Sequence, residues 1–245
     1  MVNLKEKLKK KKTIVFFDLE GTQFSHEMIQ IGAIAVTLSN KGKIKKYHKP
    51  FNRYVRARNK IGSFVVDLTG ITEEKLKKEA IAFSQAMKDF KDYIGSTFKS
   101  TLFVSFGNFD LSILGASVSY NLDAPKDIVK QIQTNYVDYL DFISEFIRDD
   151  HGNPLSLVNY CKLLGVHEVG KAHDAVNDAI NLAHLYEKLF DEKELLFNEY
   201  KKCLKRISHM PTPLQSAVND LLNGKDVYAK DLDKKIEDYI DDKLS

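Results

Sequence analysis

The pattern of apolar and polar residues along the chain predicts a protein that mixes strands with helices. Short, strongly apolar runs at residues 13–17, 29–38 and 101–105 are rich in β-branched and aromatic side chains, which indicates buried strands. A turn signal at residues 39–42 separates the second run from residues 43–54, which predict a further strand. The first three of these strands along the chain therefore form an antiparallel meander.

Apolar residues elsewhere recur at helical spacing. Residues 80–94 show this period clearly. Thr72 is suited to cap a helix, and Glu73 and Glu74 suit its positive end. Further helices are predicted to start at residue 111 and to cover residues 137–147, 155–164 and 175–190. This order of elements predicts a mixed sheet flanked by helices.

The two ends of the chain differ in character from the rest. Residues 1–12 form a basic lead-in, and we interpret its run of four lysines, 9–12, as solvated rather than as a binding element. From residue 191 to 245 apolar residues become sparser, and the pattern breaks at 210–213 and again at 223–224. We expect two or three short helices there, which either pack on the domain at 13–190 or dock a protein partner.

Composition excludes several classes of protein. The chain is 43% hydrophobic and 29% charged, as is usual for a globular domain. Two cysteines without a CxxC motif cannot form a disulfide framework and do not suggest a zinc site. No apolar run is long enough for a membrane span, and no signal-peptide core follows the basic start. We therefore expect a cytoplasmic protein without a membrane association. Its oligomeric state is not indicated.

Positive charge is concentrated in one stretch, although the net charge is only +3. Residues 41–60 carry nine lysines and arginines and no acidic residue, interleaved with Tyr47, Phe51 and Tyr54. Such a stretch is able to contact a phosphate backbone. It is equally typical of a solvated hairpin whose charges protect a sheet edge from aggregation. The pattern leaves both interpretations open.

Acidic residues follow two of the predicted strands. Asp18 and Glu20 come after the first strand, and because side chains alternate along a strand they point the same way. Asp110 follows the strand at 101–105, at an edge where open mixed sheets tend to hold their sites. Each feature also has a plain structural interpretation, as a solvated strand end for the pair and as a helix N-cap for Asp110.

A histidine and an aspartate stand near the end of the α/β region. His173 and Asp178 are five residues apart, which would put them on different faces of a continuous helix. Asp174 is, however, a good N-cap, so the helix begins near Ala175 and leaves His173 in the preceding loop. Asp178 then projects from the first turn. The small Ala175 and Ala179 allow this helix to approach the sheet closely.

Together these motifs resemble a known family. Asp18 with Glu20, then Asp110, then His173 with Asp178, stand in the order of the DEDDh 3′–5′ exonucleases of the ribonuclease H-like superfamily. That superfamily includes proofreading exonuclease domains and the RNase T and ERI-type RNA exonucleases. The supporting segments fall in the family's order as well, at residues 17–20, 29–33, 68–72, 106–110, 155–157 and 173–179. The resemblance covers roughly residues 13–190 and implies a ribonuclease H-like five-stranded mixed sheet, with residues 191–245 as a helical extension.

The resemblance also implies a chemistry for the motifs. Asp18, Glu20, Asp110 and Asp178 would hold two Mg²⁺ or Mn²⁺ ions, hard cations that prefer oxygen ligands. His173 would take the proton from the attacking water, since histidine is the side chain whose charge changes near neutral pH. The product would be a nucleoside 5′-monophosphate released from a 3′ end.

The substrate implied is single-stranded RNA or DNA, and RNA is slightly favoured. Residues implied to border the terminal nucleotide are Leu19, Gly21, Thr22 and Phe109. Phe24, Phe64 and Phe109 are candidates for base stacking and are equally typical of core residues. Two departures from the family pattern leave the substrate class open, because residues 21–23 replace the Thr-Thr-Gly of the proofreading branch and Phe106 replaces a tryptophan. The alternative function is a catalytically weak scaffold that binds nucleic acid, a polymerase or a ribonucleoprotein.

Overall fold

The computed structural model describes residues 4–9, 11–205 and 210–244. Six strands lie at β1 Thr13–Gly21, β2 Met28–Leu38, β3 Ile44–Tyr47, β4 Phe51–Tyr54, β5 Leu102–Ser105 and β6 Tyr136–Asp138. The α-helices among the described residues are α1 Leu4–Leu8, α2 Ser63–Thr69, α3 Glu73–Glu79, α4 Phe83–Ile94, α5 Phe109–Tyr120, α6 Lys126–Thr134, α7 Tyr139–Ile143, α8 Leu157–Leu163, α9 Ala175–Leu189, α10 Lys193–Lys205, α11 Thr212–Leu222 and α12 Ala229–Leu244. A 3₁₀ helix, Gly95–Ser100, joins α4 to β5.

The strands form one mixed sheet, which confirms the predicted α/β class. β2 lies between β1 and the edge strands β3 and β4. β1 pairs antiparallel with β2 on one side and parallel with β5 on the other. β6 extends the sheet in parallel beyond β5. The predicted strand at 43–54 is two strands interrupted around Pro50, and both β3 and β4 pair with β2, one after the other along its length. The sheet therefore has six strands where five were expected.

Alternation along β1 assigns its side chains to two faces. Val15, Phe17 and Leu19 belong to the hydrophobic core beneath α4, α5 and α6. Phe16, on the other face, contacts the ring of Tyr186 on α9, with ring centroids 5.3 Å apart. Asp18 has the same parity as Phe16 and so lies on the α9 face, as does Glu20. The prediction that both carboxylates point the same way agrees with this register.

Several helices begin and pack as their sequences predict. The Thr72 hydroxyl accepts the N–H of Lys75 and caps α3. Asp174 caps α9 by accepting the N–H groups of Val176 and Asn177, each at 3.1 Å. α4 buries a set of residues with helical period, namely Phe83, Ala86, Met87 and Phe90.

The predicted helix at 137–147 is wrong at both ends. Tyr136–Asp138 is strand β6, and a helix follows only over Tyr139–Ile143. The Asp138 carboxylate accepts the N–H groups of Leu140 and Asp141, at 2.9 and 3.2 Å. Asp138 therefore caps the helix that begins at Tyr139. Apolar spacing alone did not reveal that the preceding residues pair with β5.

The chain divides into two compact units. One comprises Met1–Ile143 with Ser156–Glu192, and the other comprises Ser144–Leu155 with Lys193–Ser245. The second unit contains α10, α11 and α12, so the expected C-terminal helices are present. The domain boundaries at residues 12 and 190 and the protein-partner role of 191–245 stay predictions. None of the helices in the described part of the chain is both long and apolar enough to cross a bilayer.

Candidate active site

Asp18 and Glu20 lie on β1 opposite two residues of β2. Asp18 pairs with Gly32 and Glu20 with Gln30 in the antiparallel register. A Cβ on Gly32 would lie 2.1 Å from the carbonyl carbon of Ala175, so β2 and the start of α9 approach more closely than any other residue would permit. This contact brings the first turn of α9 against the sheet next to the two carboxylates.

His173 and Asp178 meet across the start of α9. The backbone N–H of His173 donates to the Asp178 carboxylate at 2.8 Å. His173 has a φ of 62°, in the left-handed region that non-glycine residues adopt rarely. The loop at residues 169–174, here called the histidine loop, is held by a second anchor, since the buried Asn181 side chain accepts the N–H of Val169 at 2.7 Å. An exposed histidine is therefore held in a strained but fixed backbone position.

Three of the predicted site residues form a close group. Glu20, His173 and Asp178 each offer a ligand atom, and these atoms all lie within 4.8 Å of one another. It is the one group of this kind found when the described residues are searched. Two carboxylates and an imidazole at this separation are able to hold one divalent cation. The donor set therefore fits a metal ion.

Asp110 lies deeper than this group, and Asp18 is half-buried. Asp110 is 5% exposed, in the first turn of α5, and its Oδ1 accepts the N–H of Leu19 at 2.9 Å. The N-cap of α5 is Asn108, so the interpretation of Asp110 as a helix cap is wrong. Asp110 is instead directed at β1, one residue from Asp18.

Burial is the first cause that raises the pKa of all four carboxylates, and repulsion from others of the set adds to it for Asp18 and Glu20. Burial raises the pKa of Glu20 to about 8, with added repulsion from Asp178, Asp110 and Asp174. The pKa of Asp18 is raised well above its ordinary range by burial and then by Asp110, Glu20 and Asp178. Burial also raises the pKa of Asp110, to about 7, and that of Asp178. A cation would relieve the cost of ionising all four, because none has an ion-pair partner in the part of the chain that is described.

The loop after β1 is closed by a buried carboxylate. Glu27, 1% exposed, accepts hydrogen bonds from Ser25, from the Arg58 N–H and from both the backbone and side chain of Asn59. Burial alone would raise the pKa of Glu27, but these hydrogen bonds lower it. The Gln23 N–H donates to the Ile61 carbonyl at 2.8 Å, so residues 22–27 and 58–61 form one hydrogen-bonded rim beside the site.

The four residues predicted to border the substrate differ in exposure. Leu19 is in the core, and Thr22 is 1% exposed with its hydroxyl accepting the Glu27 N–H at 3.0 Å. Gly21 is half-buried and faces Ile113. Phe109 is 54% exposed, and its ring meets the His26 ring edge-on at 5.1 Å.

The two other candidate stacking residues are also exposed. Phe24 is 82% and Phe64 is 62% exposed, so the core interpretation is wrong for both, as it is for Phe109. Phe24 lies on the rim, and Phe64 follows Gly62, whose Cβ position is occupied by the Gln23 side chain. Exposed phenylalanines therefore occur both on the rim and next to Asp110.

Three residues that organise the site were not identified from the sequence as site residues. Gly32 was noted only within a motif, although its contact with Ala175 determines how closely α9 approaches. Glu27 resembled any surface glutamate. Asp138, which accepts the Gly107 N–H at 3.1 Å and adds repulsion to Asp110, lay inside a predicted helix. Of these three residues, only Gly32 carries a signal that could have been used, namely a strand glycine that faces a small residue on a packed helix.

Comparison with known proteins agrees with this geometry. The family model described as "Exonuclease", named RNase_T, matches residues 15–186. The PolC-type DNA polymerase III of Caldanaerobacter subterraneus subsp. tengcongensis is 25% identical over 182 residues, which cover 73% of this chain and 12% of that protein. The chain thus spans about an eighth of the length of such curated relatives.

Solved structures share the fold at lower identity. The nuclease domain of 3′hExo, a DEDDh family member bound to rAMP, has a TM-score of 0.59 at 19% identity, over 75% of this chain and 94% of that one. Exonuclease I of E. coli in complex with a dA16 oligonucleotide has a TM-score of 0.57 at 20% identity, over 80% of this chain and 44% of that one. Because the family model matches most of its length, the chain belongs to the RNase T exonuclease family.

Proposed function

We propose that the protein is a metal-dependent 3′–5′ exonuclease that removes nucleoside 5′-monophosphates from single-stranded nucleic acid. The observation that supports this most directly is the close group of Glu20, His173 and Asp178, together with Asp18 and the buried Asp110. A set of mutually repelling carboxylates costs stability, so a fold that brings them together is expected to use them.

The carboxylates are proposed as the metal ligands. Glu20 and Asp178 would hold one Mg²⁺ or Mn²⁺, with Asp18 shared with a second ion and Asp110 supporting it. When bound, two such ions supply positive charge to the attacking and the leaving oxygens of an in-line displacement. The raised pKa values of Glu20 and Asp18 support this, since a cation would favour their ionised forms.

His173 is proposed as the general base. Its imidazole takes a proton from water as the water oxygen bonds to the last phosphorus of the strand. The bond from that phosphorus to the 3′ oxygen of the preceding nucleotide breaks, and this oxygen takes up a proton from solvent water to become the 3′ hydroxyl of the shortened strand. The exposed position of His173 beside Glu20 and Asp178 supports this role. The same closeness would also allow His173 to be a metal ligand, and the two roles differ in a measurable way.

The exposed phenylalanines are proposed to hold the terminal bases. Phe24, Phe64 and Phe109 would stack on bases of any sequence, which requires that the bases be unpaired. The rAMP bound to 3′hExo and the dA16 bound to exonuclease I are a ribonucleotide and a deoxyribonucleotide. We favour RNA for this chain because residues 21–23 depart from the proofreading pattern.

The proposal is tested by incubating the full chain with 5′-labelled single-stranded RNA and DNA of matched sequence. We expect a ladder that shortens from the 3′ end in Mg²⁺, no reaction in EDTA, and faster shortening of RNA. Asp18→Ala should abolish the reaction while the circular dichroism spectrum stays that of the wild type. Full activity in this variant would overturn the assignment. Tight binding without hydrolysis in the wild type would instead favour the scaffold function.

A further inference from the structure

The basic stretch that the sequence left ambiguous forms one edge of the sheet. All nine of its cations are exposed: Lys41, Lys43, Lys45, Lys46, Lys49, Arg53, Arg56, Arg58 and Lys60. Within the described ranges, ion pairs involve only two of them, Lys43 with Asp191 and Arg53 with Asp89. The other seven, here called the basic strip, form no ion pair in the described part of the chain.

The basic strip runs from the far end of the edge to the candidate active site. β3 and β4 pair in line with β2, from Ile44 opposite Leu38 to Tyr54 opposite Gln30. Eight residues of β2 separate these pairs, which is about 27 Å at ~3.4 Å per residue. Gln30 is also the partner of Glu20, so this end of the edge lies beside the site.

The near end of the basic strip joins the rim of the site directly. The backbone of Arg58 is hydrogen-bonded to Glu27, while the Arg58 side chain stays exposed. Lys60 follows two residues later and is exposed as well. Positive charge therefore begins at the rim and continues along the edge.

The aromatic residues of the stretch are not available for stacking. Phe51 is 5% exposed in the core. The Tyr47 ring packs edge-on against the His184 ring, with centroids 5.6 Å apart, and the Lys75 ammonium lies over the Tyr54 ring, 4.2 Å from its centroid. What the edge offers a ligand is therefore charge alone, which recognises phosphates and does not read bases.

We infer that the basic strip binds the phosphates of the strand that lies 5′ of the nucleotide being removed. This inference rests on the proposed function, because it needs a strand whose 3′ end occupies the site. At the ~3.4 Å spacing of phosphates along one stacked strand, the edge matches about eight nucleotides. Long strands therefore bind more tightly than short ones, without sequence preference and with a steep dependence on salt.

The test measures binding rather than hydrolysis, so that it is independent of the proposed reaction. Labelled single strands of 4 and 20 nucleotides are titrated with the full chain in EDTA at several salt concentrations, by fluorescence anisotropy. Lys45→Gln with Lys46→Gln changes the far end, and Arg58→Gln with Lys60→Gln changes the near end. Lys126→Gln with Lys130→Gln is the matched control, an exposed pair on α6 away from the basic strip.

We expect the far-end variant to weaken binding of the 20-mer about fivefold and to affect the 4-mer much less. The slope of log affinity against log salt concentration should become less steep by up to about 1.4, which is about 0.7 for each lost phosphate contact. The near-end variant should weaken both lengths, and the control neither.

Two results would overturn the inference. Unchanged binding of the 20-mer by the far-end variant would mean that the lysines only keep the edge solvated. Equal weakening of both lengths by that variant would mean that they act through the fold. If the wild type shows the length and salt dependence but no hydrolysis in Mg²⁺, the proposed exonuclease function is wrong, while phosphate binding by the basic strip is supported.

Discussion

The carboxylates and the histidine of the candidate site are held in different ways. Asp18 and Glu20 lie on β1, where it pairs with β2, and Asp178 lies in the first turn of a helix packed against the sheet. His173 lies on the histidine loop and has a left-handed backbone, and the loop is held by backbone N–H groups that donate to the side chains of Asp178 and Asn181. The carboxylates therefore depend on regular structure, and the histidine depends on a few specific contacts.

This difference suggests a division of work. Metal ligands gain from rigid positions, because their spacing decides the affinity for the ion. A base must reach the proton of a water molecule. A loop held at two points allows small adjustments of the imidazole while it limits the range of positions that the imidazole adopts. If the division is correct, changes to the loop should reduce turnover and spare metal binding.

The largest effect that tests this division is expected from His173→Ala. Loss of a general base should lower kcat by about 10²- to 10⁴-fold. The concentration of Mg²⁺ that gives half-maximal activity should stay near that of the wild type. Both quantities come from initial rates on a single-stranded oligonucleotide over a range of Mg²⁺ concentrations.

His167→Ala is the control, since His167 is also exposed and precedes the same helix. It should leave both quantities unchanged. If His173→Ala instead raises the Mg²⁺ requirement in proportion to its loss of turnover, His173 is a metal ligand and the proposed division is wrong.

A smaller effect is expected from Asn181→Ala. This change removes two hydrogen bonds between the Asn181 side chain and the Val169 backbone. One is accepted from the Val169 N–H at 2.7 Å, and the other is donated to the Val169 carbonyl at 3.3 Å. The histidine loop should then sample more positions, and kcat should fall about tenfold with KM little changed. Stopped-time assays at saturating substrate measure the fall.

A double-mutant cycle shows whether Asn181 acts through His173. In the His173→Ala background, Asn181→Ala should have no further effect on turnover, since the group that it positions is gone. A full additional tenfold loss there would mean that Asn181 supports the fold in general and not the base.

The same contrast explains how much could be predicted from the sequence. The shared direction of Asp18 and Glu20 follows from strand alternation, although β1 extends through both instead of ending before them. The Asp174 cap places Asp178 in the first turn of α9, as predicted. The burial of Leu19 and Thr22 was not predicted, because it depends on α5 and on Glu27, which are distant or carry no local signal. Gly32 illustrates the same limit, since its role exists only where Ala175 packs against it.

The smallest effect expected is on stability, and it concerns Glu20. The pKa of Glu20 is about 8 in the folded chain without metal and near 4.5 ordinarily. Between these values the folded state keeps a proton that the unfolded chain has lost, so stability falls as pH rises from about 4.5 to 8. Glu20→Gln has no such proton and should show a shallower decline, melting a few degrees higher than the wild type at pH 8, since ~1 kcal/mol corresponds to about 2–4 °C for a chain of this size.

Magnesium should reverse the order of the two proteins. At pH 8, Mg²⁺ favours the ionised carboxylates and should raise the melting temperature of the wild type, while Glu20→Gln gains less. Glu79→Gln, an exposed carboxylate at the end of α3, should follow the wild type at every pH and in both conditions. A wild-type melting temperature that is flat from pH 5 to 8 without metal, measured by calorimetry, would mean that the carboxylates do not crowd one another. In that case the carboxylates would not form a rigid, mutually repelling set of ligands, and their contrast with a loop-held base would be wrong.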